Sequence, residues 1–218
     1  MRYVQFYLSL YKRMITKFTG NGLFLTSDTH FCHENILRFC KRPFNSIEEH
    51  DKTLIDNWNS VVGPEDTVFH LGDFCFGGYP KWKQIRDQLN GHIVLIRGNH
   101  DDKNMTNGIQ QLFDYVTYQM RIIVDGRTVY LNHFPFLCFA HGDPNLYSDN
   151  NLTYAPYGHV HSGPNSSSGD GSRLNYCYPT QYDVGVDNNN YFPISWKDFD
   201  EKINQQLLNW KKEHIKDI

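Results

Sequence analysis

The chain has 218 residues, with 21 basic and 24 acidic side chains for a net charge of −3, and 11 histidines. This length fits a single domain with its own core. The balanced charge shows no basic face for a polyanion, so nucleic acid is not indicated, and no stretch approaches the roughly 20 apolar residues of a membrane span. The five cysteines (Cys32, Cys40, Cys75, Cys138 and Cys177) have no Cys-x-x-Cys spacing and point to a reducing cytoplasm rather than to a disulfide framework.

Residues 1–20 are expected to form a helical extension, since Val4, Tyr7, Leu8, Tyr11, Met14, Ile15 and Phe18 recur at helical spacing. Gln5 and Ser9 interrupt the apolar run, which argues against a signal peptide. The core of the single domain, about residues 22–194, alternates short apolar runs with polar clusters. Gly22–Ser27 leads into Asp28 and His30, Asp66–His70 into Gly72 and Asp73, and His92–Arg97 into Asn99, His100 and Asp101. Helices are expected between them. Ser46 and Glu49 form a capping box before Leu54, Ile55 and Trp58, and Pro80 opens a second helix through Trp82, Ile85 and Leu89.

From Val116 to Tyr130 the sequence reads as a hairpin about Asp125-Gly126. Arg127–Asn132 then leads into His133, and Thr153–Tyr157 into His159 and His161. Ser162–Gly171 reads as a surface loop. Residues 195–218 are expected to be a helix capped by Ser195, with Trp196, Phe199, Ile203, Leu207 and Trp210 on one face. The fold class is α/β: a two-sheet β-sandwich flanked by helices, with ligand groups gathered where strands end.

Asp28, His30, Asp73, Asn99, His100, His133, His159 and His161 are donors suited to first-row transition metals. Eight groups exceed what one ion holds. Two ions about 3.5–4 Å apart, sharing a carboxylate, would use them and would suit in-line displacement at phosphorus. In Asp28-x-His30 and His159-x-His161, alternation along an extended segment would send both side chains to one side. The plainer reading is a turn aspartate at Asp73 and a hydrogen-bonded loop histidine at His133. Taken singly these readings hold, but they do not explain the ordered set.

That ordered set, Asp28-x-His30, Gly72-Asp73, Gly98-Asn99-His100-Asp101, His133 and Gly158-His159-x-His161, resembles the motifs of the calcineurin-like metallophosphoesterases over roughly residues 22–194. Ser27–Asn35 and Val184–Asp187 look like a bacterial and phage branch of small single-domain phosphoesterases. The resemblance implies a four-layer α/β-β/α architecture and two divalent transition-metal ions, whether Mn, Fe, Zn or Ni. It assigns Asp28, His30 and His161 to one ion, Asn99, His133 and His159 to the other, and Asp73 to both. A bridging water would attack phosphorus while His100 assists the leaving group of a small phosphoester, monoester or diester. His33 and Asn35 are candidate phosphoryl contacts, or else caps of the helix from Glu34 to Cys40. Where several branches carry an Asp or Arg after Gly-Asp to orient the catalytic histidine or bind phosphate, this chain has Phe74-Cys75-Phe76-Gly77, leaving the partner of His100 open.

Two alternatives stand beside the hydrolase: a nuclease-like or nucleotide-pyrophosphate activity, and a metal-stabilised binding module without turnover. Cys32 and Cys75 are expected to pack near the site, and His70 and His92 to be structural. His141–Asn151 and Ser162–Gly171 are expected to wall the substrate.

Overall fold

A computed structural model describes residues 17–163 and 171–214. Most of the expected N-terminal extension, residues 164–170 of the glycine- and serine-rich loop, and residues 215–218 lie outside the described residues.

The central layer is a five-stranded sheet. β2 (Leu23–Thr26), β3 (Thr67–His70), β4 (His92–Ile96) and β5 (Tyr115–Thr117) run parallel in that order, and β10 (Ile194–Ser195) pairs antiparallel with β2. These strands carry apolar side chains on both faces, as parallel strands buried on both sides must. On one face Trp58 and Leu54 of α2 (Ile47–Val61) and Trp82 and Ile85 of α3 (Tyr79–Arg86) pack over Val68, Ile93 and Leu95. α2 starts as expected: the Ser46 hydroxyl accepts from Glu49 N at 3.2 Å. The Glu49 carboxylate does not return to Ser46 but takes the Asn45 N–H at 2.8 Å.

The opposite face carries Leu25, Phe69, Leu71 and Ile96, which meet Ile122, Val124, Val129 and Leu131 of a second sheet. That sheet holds β1 (Lys17–Phe18), β6 (Gln119–Val124) and β7 (Arg127–Asn132). A bridge from Val129 to Tyr154 continues it toward the parallel pair β8 (Ala155–Tyr157) and β9 (Gln181–Asp183). The Asp125-Gly126 turn is the expected hairpin, with both residues at positive φ (48° and 83°), a type I′ geometry. α5 (Trp196–His214) buries Trp196, Phe199, Ile203 and Leu207 in the inter-sheet core, and Ser195 caps it by accepting from Asp198 N at 3.1 Å. The α/β sandwich expected from the sequence is the architecture found.

Two expectations are corrected. Lys17 and Phe18 are not helical: they pair in parallel with Ile123 and Val124, and the Phe18 ring meets Phe69 edge-on at 5.2 Å. The run from Val116 to Val124 is not one strand either. The chain leaves the first sheet after Thr117 and enters the second at Gln119, turning at Tyr118, whose exposed ring lies under the Arg97 guanidinium at 4.5 Å. One uninterrupted strand could not join two stacked sheets.

His70, at the end of β3, is fully buried and structural. Its Nδ1 accepts from Gly72 N at 3.2 Å, and the Thr29 hydroxyl, which donates to Phe74 O, receives the Nε2 proton at 2.9 Å. Burial drops its pKa to about 3. The unfolded chain therefore binds a proton at His70 that the folded chain refuses, so stability falls as pH falls below 6.5. Lowering the pH from 7.5 to 5 is expected to cost about 2 kcal/mol through this group. His70→Gln, which cannot titrate, should lose correspondingly less over that range in urea denaturation; an unchanged loss would contradict the assignment.

Candidate metal centre

The donors singled out in the sequence all lie in turns that follow strands. Asp28 and His30 follow β2, Asp73 follows β3, Asn99 and His100 follow β4, His133 follows β7, and His159 and His161 follow β8. The paired donors do not project from extended backbone. Asp28 (φ 58°), His30 (φ 50°), His159 (φ 73°) and His161 (φ 47°) all adopt the left-handed conformation, as does Asp73 (φ 56°). Each such residue costs about 1–3 kcal/mol and persists only where its surroundings dictate it. Here the surroundings are neighbouring turns: Asp28 N donates to Gly72 O, His30 N to Asp73 O and Gly158 N to His133 O, each at 2.9 Å.

Two glycines permit this crowding. A Cβ on Gly72 (φ 94°) would lie 2.5 Å from Gly98 N and 2.7 Å from His133 Nδ1. A Cβ on Gly158 would lie 2.4 Å from Asp28 Oδ2, the atom that accepts from His159 N at 2.9 Å.

The carboxylates are pinned by one oxygen and leave the other facing the centre. Asp73 Oδ1 accepts from His100 N at 2.9 Å, while Oδ2 lies 3.6 Å from His30 Nε2 and 3.5 Å from His133 Nε2. Asp28 Oδ1 lies 4.0 Å from His30 Nε2 and 3.9 Å from His161 Nε2. Among the described residues it is buried without a hydrogen-bond partner, as are both ring nitrogens of His30. Burial, and then the charge of neighbouring His161 and Arg42, holds His30 well below its ordinary pKa, so its ring is neutral.

His133 Nδ1 donates to Leu71 O at 2.7 Å, an acceptor only, which fixes the ring with Nε2 toward Asn99 Oδ1 at 3.1 Å. His161 repeats the device, with Nδ1 on Asp187 Oδ2 at 2.6 Å. Burial would depress His161, yet Asp28 and hydrogen bonds to Asp187 and Cys40 outweigh it and push its pKa up to about 11. A proton held there occupies the atom a metal ion would take. Carboxylate oxygens and imidazole nitrogens converging on one buried place are the arrangement a cation completes, and the donor set fits divalent ions. Asp28, His30 and His161, and Asp28, Asp73 and His133, each bring their donor atoms within 4.8 Å.

Behind His161 lies a network that sequence reasoning missed. Buried Arg42 uses all five of its N–H groups: Nε and Nη2 on the two Asp187 oxygens at 2.8 and 2.7 Å, Nη2 on Asp28 O at 2.7 Å, and Nη1 on Thr29 O at 3.0 Å and on His50 Nε2 at 2.8 Å. His50 Nδ1 in turn holds Asp51, whose second oxygen accepts from Cys32 N at 2.9 Å. Burial would raise Asp187, but Arg42 and His161 hold its carboxyl down at about 2. His50 had no assigned role, and Asp187 entered only as part of a stretch of resemblance. No local pattern marks Arg42, because its partners lie up to 145 residues away.

Asp101 is a second residue whose part the local sequence does not reveal. It is buried and accepts from Asp73 N, Phe74 N and Gly98 N at 2.8–2.9 Å, joining the turns after β3 and β4. Burial raises its pKa to about 7 against the pull of those N–H groups.

A cavity of about 450 Å³ opens over the donors, lined in part by His33, Phe76, His100, Lys103 and Asn104. His33 begins α1 (Glu34–Phe39) but makes no side-chain cap; its ring stacks on Phe76 at 3.7 Å and 3°. Burial, followed by nearby His100, lowers its pKa to about 4. Asn35 is exposed on α1 and does not line the cavity. The His100 ring packs 5.1 Å from Phe76 and 5.4 Å from His30, and among the described residues no side chain hydrogen-bonds to it. A second cavity shares His159 and is formed by residues 134–137, 160 and 176–177. The segment His141–Asn151, expected to wall the substrate, lines neither; it folds on itself, with His141 stacked on Tyr147 at 4.3 Å.

The sequence profile of the family described as calcineurin-like phosphoesterase matches residues 23–215. Curated relatives include "Uncharacterized protein MJ1445" of Methanocaldococcus jannaschii, 51% identical over 81 residues (36% of this chain and 46% of that one). "Gene 66 protein" of Mycobacterium phage L5 is 32% identical over 135 residues (54% of this chain and 65% of that one). The chain thus spans about half to two thirds of the length of these relatives. Among solved structures, that of "the Protein of Unknown Function AQ665 from Aquifex aeolicus" superposes with a TM-score of 0.61 at 28% identity, covering 82% of this chain and 97% of the other.

The Arg42 network generates a prediction. Asp187→Asn removes the charge that fixes the His161 tautomer and should weaken binding of manganese about 10–100-fold in calorimetric titration. Arg42→Ala leaves Asp187 buried without its cation and should lower stability by about 3–5 kcal/mol in urea denaturation. Manganese affinity unaltered in Asp187→Asn would show that the pair only packs.

Proposed function

We propose, because the chain belongs to the calcineurin-like phosphoesterase family, that it hydrolyses phosphoric esters with two divalent transition-metal ions. One observation carries the reading: Asp73 Oδ2 sits 3.6 and 3.5 Å from the Nε2 atoms of His30 and His133, between two groups of donors. Asp28, His30 and His161 would hold one ion; Asn99, His133 and His159 would hold the other. When bound, such ions polarise phosphoryl oxygens and lower the pKa of water so that it becomes nucleophilic near neutral pH. Nitrogen and oxygen donors of this kind accept Mn, Fe, Zn or Ni.

The chain's own groups do the rest. The His100 backbone N–H sets the rotation of Asp73. Its ring, at the wall of the polar cavity, gives a proton or a hydrogen bond to the departing oxygen. The stacked Phe76 and His33 rings restrict where the His100 imidazole can lie, a packing restraint in place of a hydrogen-bonded partner. His33, neutral above about pH 4, offers the phosphoryl group a hydrogen bond without a charge, while Lys103 adds a positive one at the cavity wall.

With manganese supplied, purified protein is expected to bind about two ions per chain and to hydrolyse aryl phosphoesters. His100→Ala should lower kcat about 10²–10⁴-fold while retaining metal, and Asn99→Ala should lower metal occupancy together with rate. Undiminished turnover in both variants would sink the mechanism. Metal-dependent thermal stabilisation with no turnover on any phosphoester would favour a binding module instead.

A further inference from the structure

We infer that the substrate is a phosphodiester whose retained organic group is flat and apolar and sits in the second cavity, beside His159. This rests on the reading of His100 as the residue that acts on the leaving oxygen. The cavity, about 540 Å³, is built from Phe134 to Leu137 after β7 and from Tyr176 and Cys177 before β9. Among the described residues no lysine, arginine, aspartate or glutamate lines it. Its volume suits a small organic group.

Its position ties it to the chemistry. The Phe134 ring lies 4.6 Å from His159 and 4.9 Å from His133, so an aromatic wall adjoins two donors assigned to one ion. Phe134 is 46% exposed, Leu137 77% and Tyr176 73%, and none of them belongs to either buried core. The fold thus leaves three large apolar side chains in water around one opening, which costs solvation that an apolar ligand would recover. The wall is preformed: Phe136 packs on Phe139 at 6.0 Å, and its carbonyl accepts from Gln181 Nε2 at 3.1 Å.

The diester follows from the division of the two cavities. His100 lines the polar cavity and not the apolar one, and His159 is the described residue common to both. A group leaving under His100 departs on the polar side, so a group held in the apolar cavity is one that stays on phosphorus. In the reaction a water oxygen bonds to phosphorus, the P–O bond to the leaving group breaks, and the leaving oxygen takes up a proton. The retained ester is untouched. A monoester has no second organic group to place.

The test keeps the leaving group constant. Manganese-loaded protein is given phenyl p-nitrophenyl phosphate, methyl p-nitrophenyl phosphate and the monoester p-nitrophenyl phosphate. The phenyl diester should exceed the methyl diester by about tenfold or more in kcat/KM, chiefly through KM, because the retained group is bound alike in ground and transition states. Leu137→Ala and Tyr176→Ala, truncations of exposed side chains, should bring that ratio toward one. In parallel, calorimetry should find phenylphosphonate bound more tightly than methylphosphonate, with the preference lost in the same variants.

Equal kcat/KM for the two diesters, a dominant monoester activity, or variants that leave the ratio unchanged would overturn the inference while leaving the hydrolase intact. A phenylphosphonate preference without any turnover would support the subsite and remove the hydrolase reading. Absence of both would remove both. A dimer in sedimentation that Leu137→Glu dissolves would make the cavity an interface between copies and would likewise overturn it.

Discussion

One buried guanidinium holds the metal-facing side of this fold in register. Arg42 reaches the backbone of the first donor turn, the carboxylate behind His161 and the imidazole at the start of α2, and none of its five N–H groups is left over. A buried cation is tolerable only under such complete satisfaction. Its demands in turn fix the segments that supply its acceptors. The Asp28 and Thr29 carbonyls must point at one spot, and Asp187 must arrive with both oxygens free of water. Asp28 and His30, in the same turn, both adopt the left-handed conformation.

The same logic runs through the other donors. Two of the imidazoles and both carboxylates are each fixed at one end so that the other end faces inward. Leu71 O and Asp187 fix two imidazoles through Nδ1; the His100 and His159 backbone N–H groups fix two carboxylates. Such preorganisation carries an electrostatic tension, since carboxylates and imidazoles are gathered in a poorly solvated place. The raised pKa of Asp73, which burial drives and His133 opposes, reports that tension.

The donor set was legible in the sequence because each donor stands at the end of a short apolar run, where local chemistry changes abruptly. The runs before Asp28, Asp73, Asn99, His133 and His159 all proved to contain strands, and the Asp-Gly turn lay where its chemistry requires positive φ. What stayed hidden is long-range. Arg42 looks like any surface arginine beside a proline, and nothing near it in the chain announces Asp187. The switch between sheets at Tyr118 was hidden for a related reason: β-rich sequence records a preference for extended backbone but not which sheet receives it. The backbone of the paired donors differs from the extended segment expected because period-two spacing suits both a pleated strand and a turn of alternating handedness.

The donors come from both sheets: Asp28, His30, Asp73 and Asn99 from turns of the parallel one, His133, His159 and His161 from the hairpin sheet and its extension. His159 N and the Asp28 carboxylate meet across 131 residues of chain. The centre therefore cannot exist in part; it comes into being only when the two sheets close on their shared apolar core, late in any order of assembly in which local pairs form first. Divalent ions would then act as a clasp across the sandwich, and the apolar interface that gives the fold its stability would also decide when the protein becomes competent to bind them.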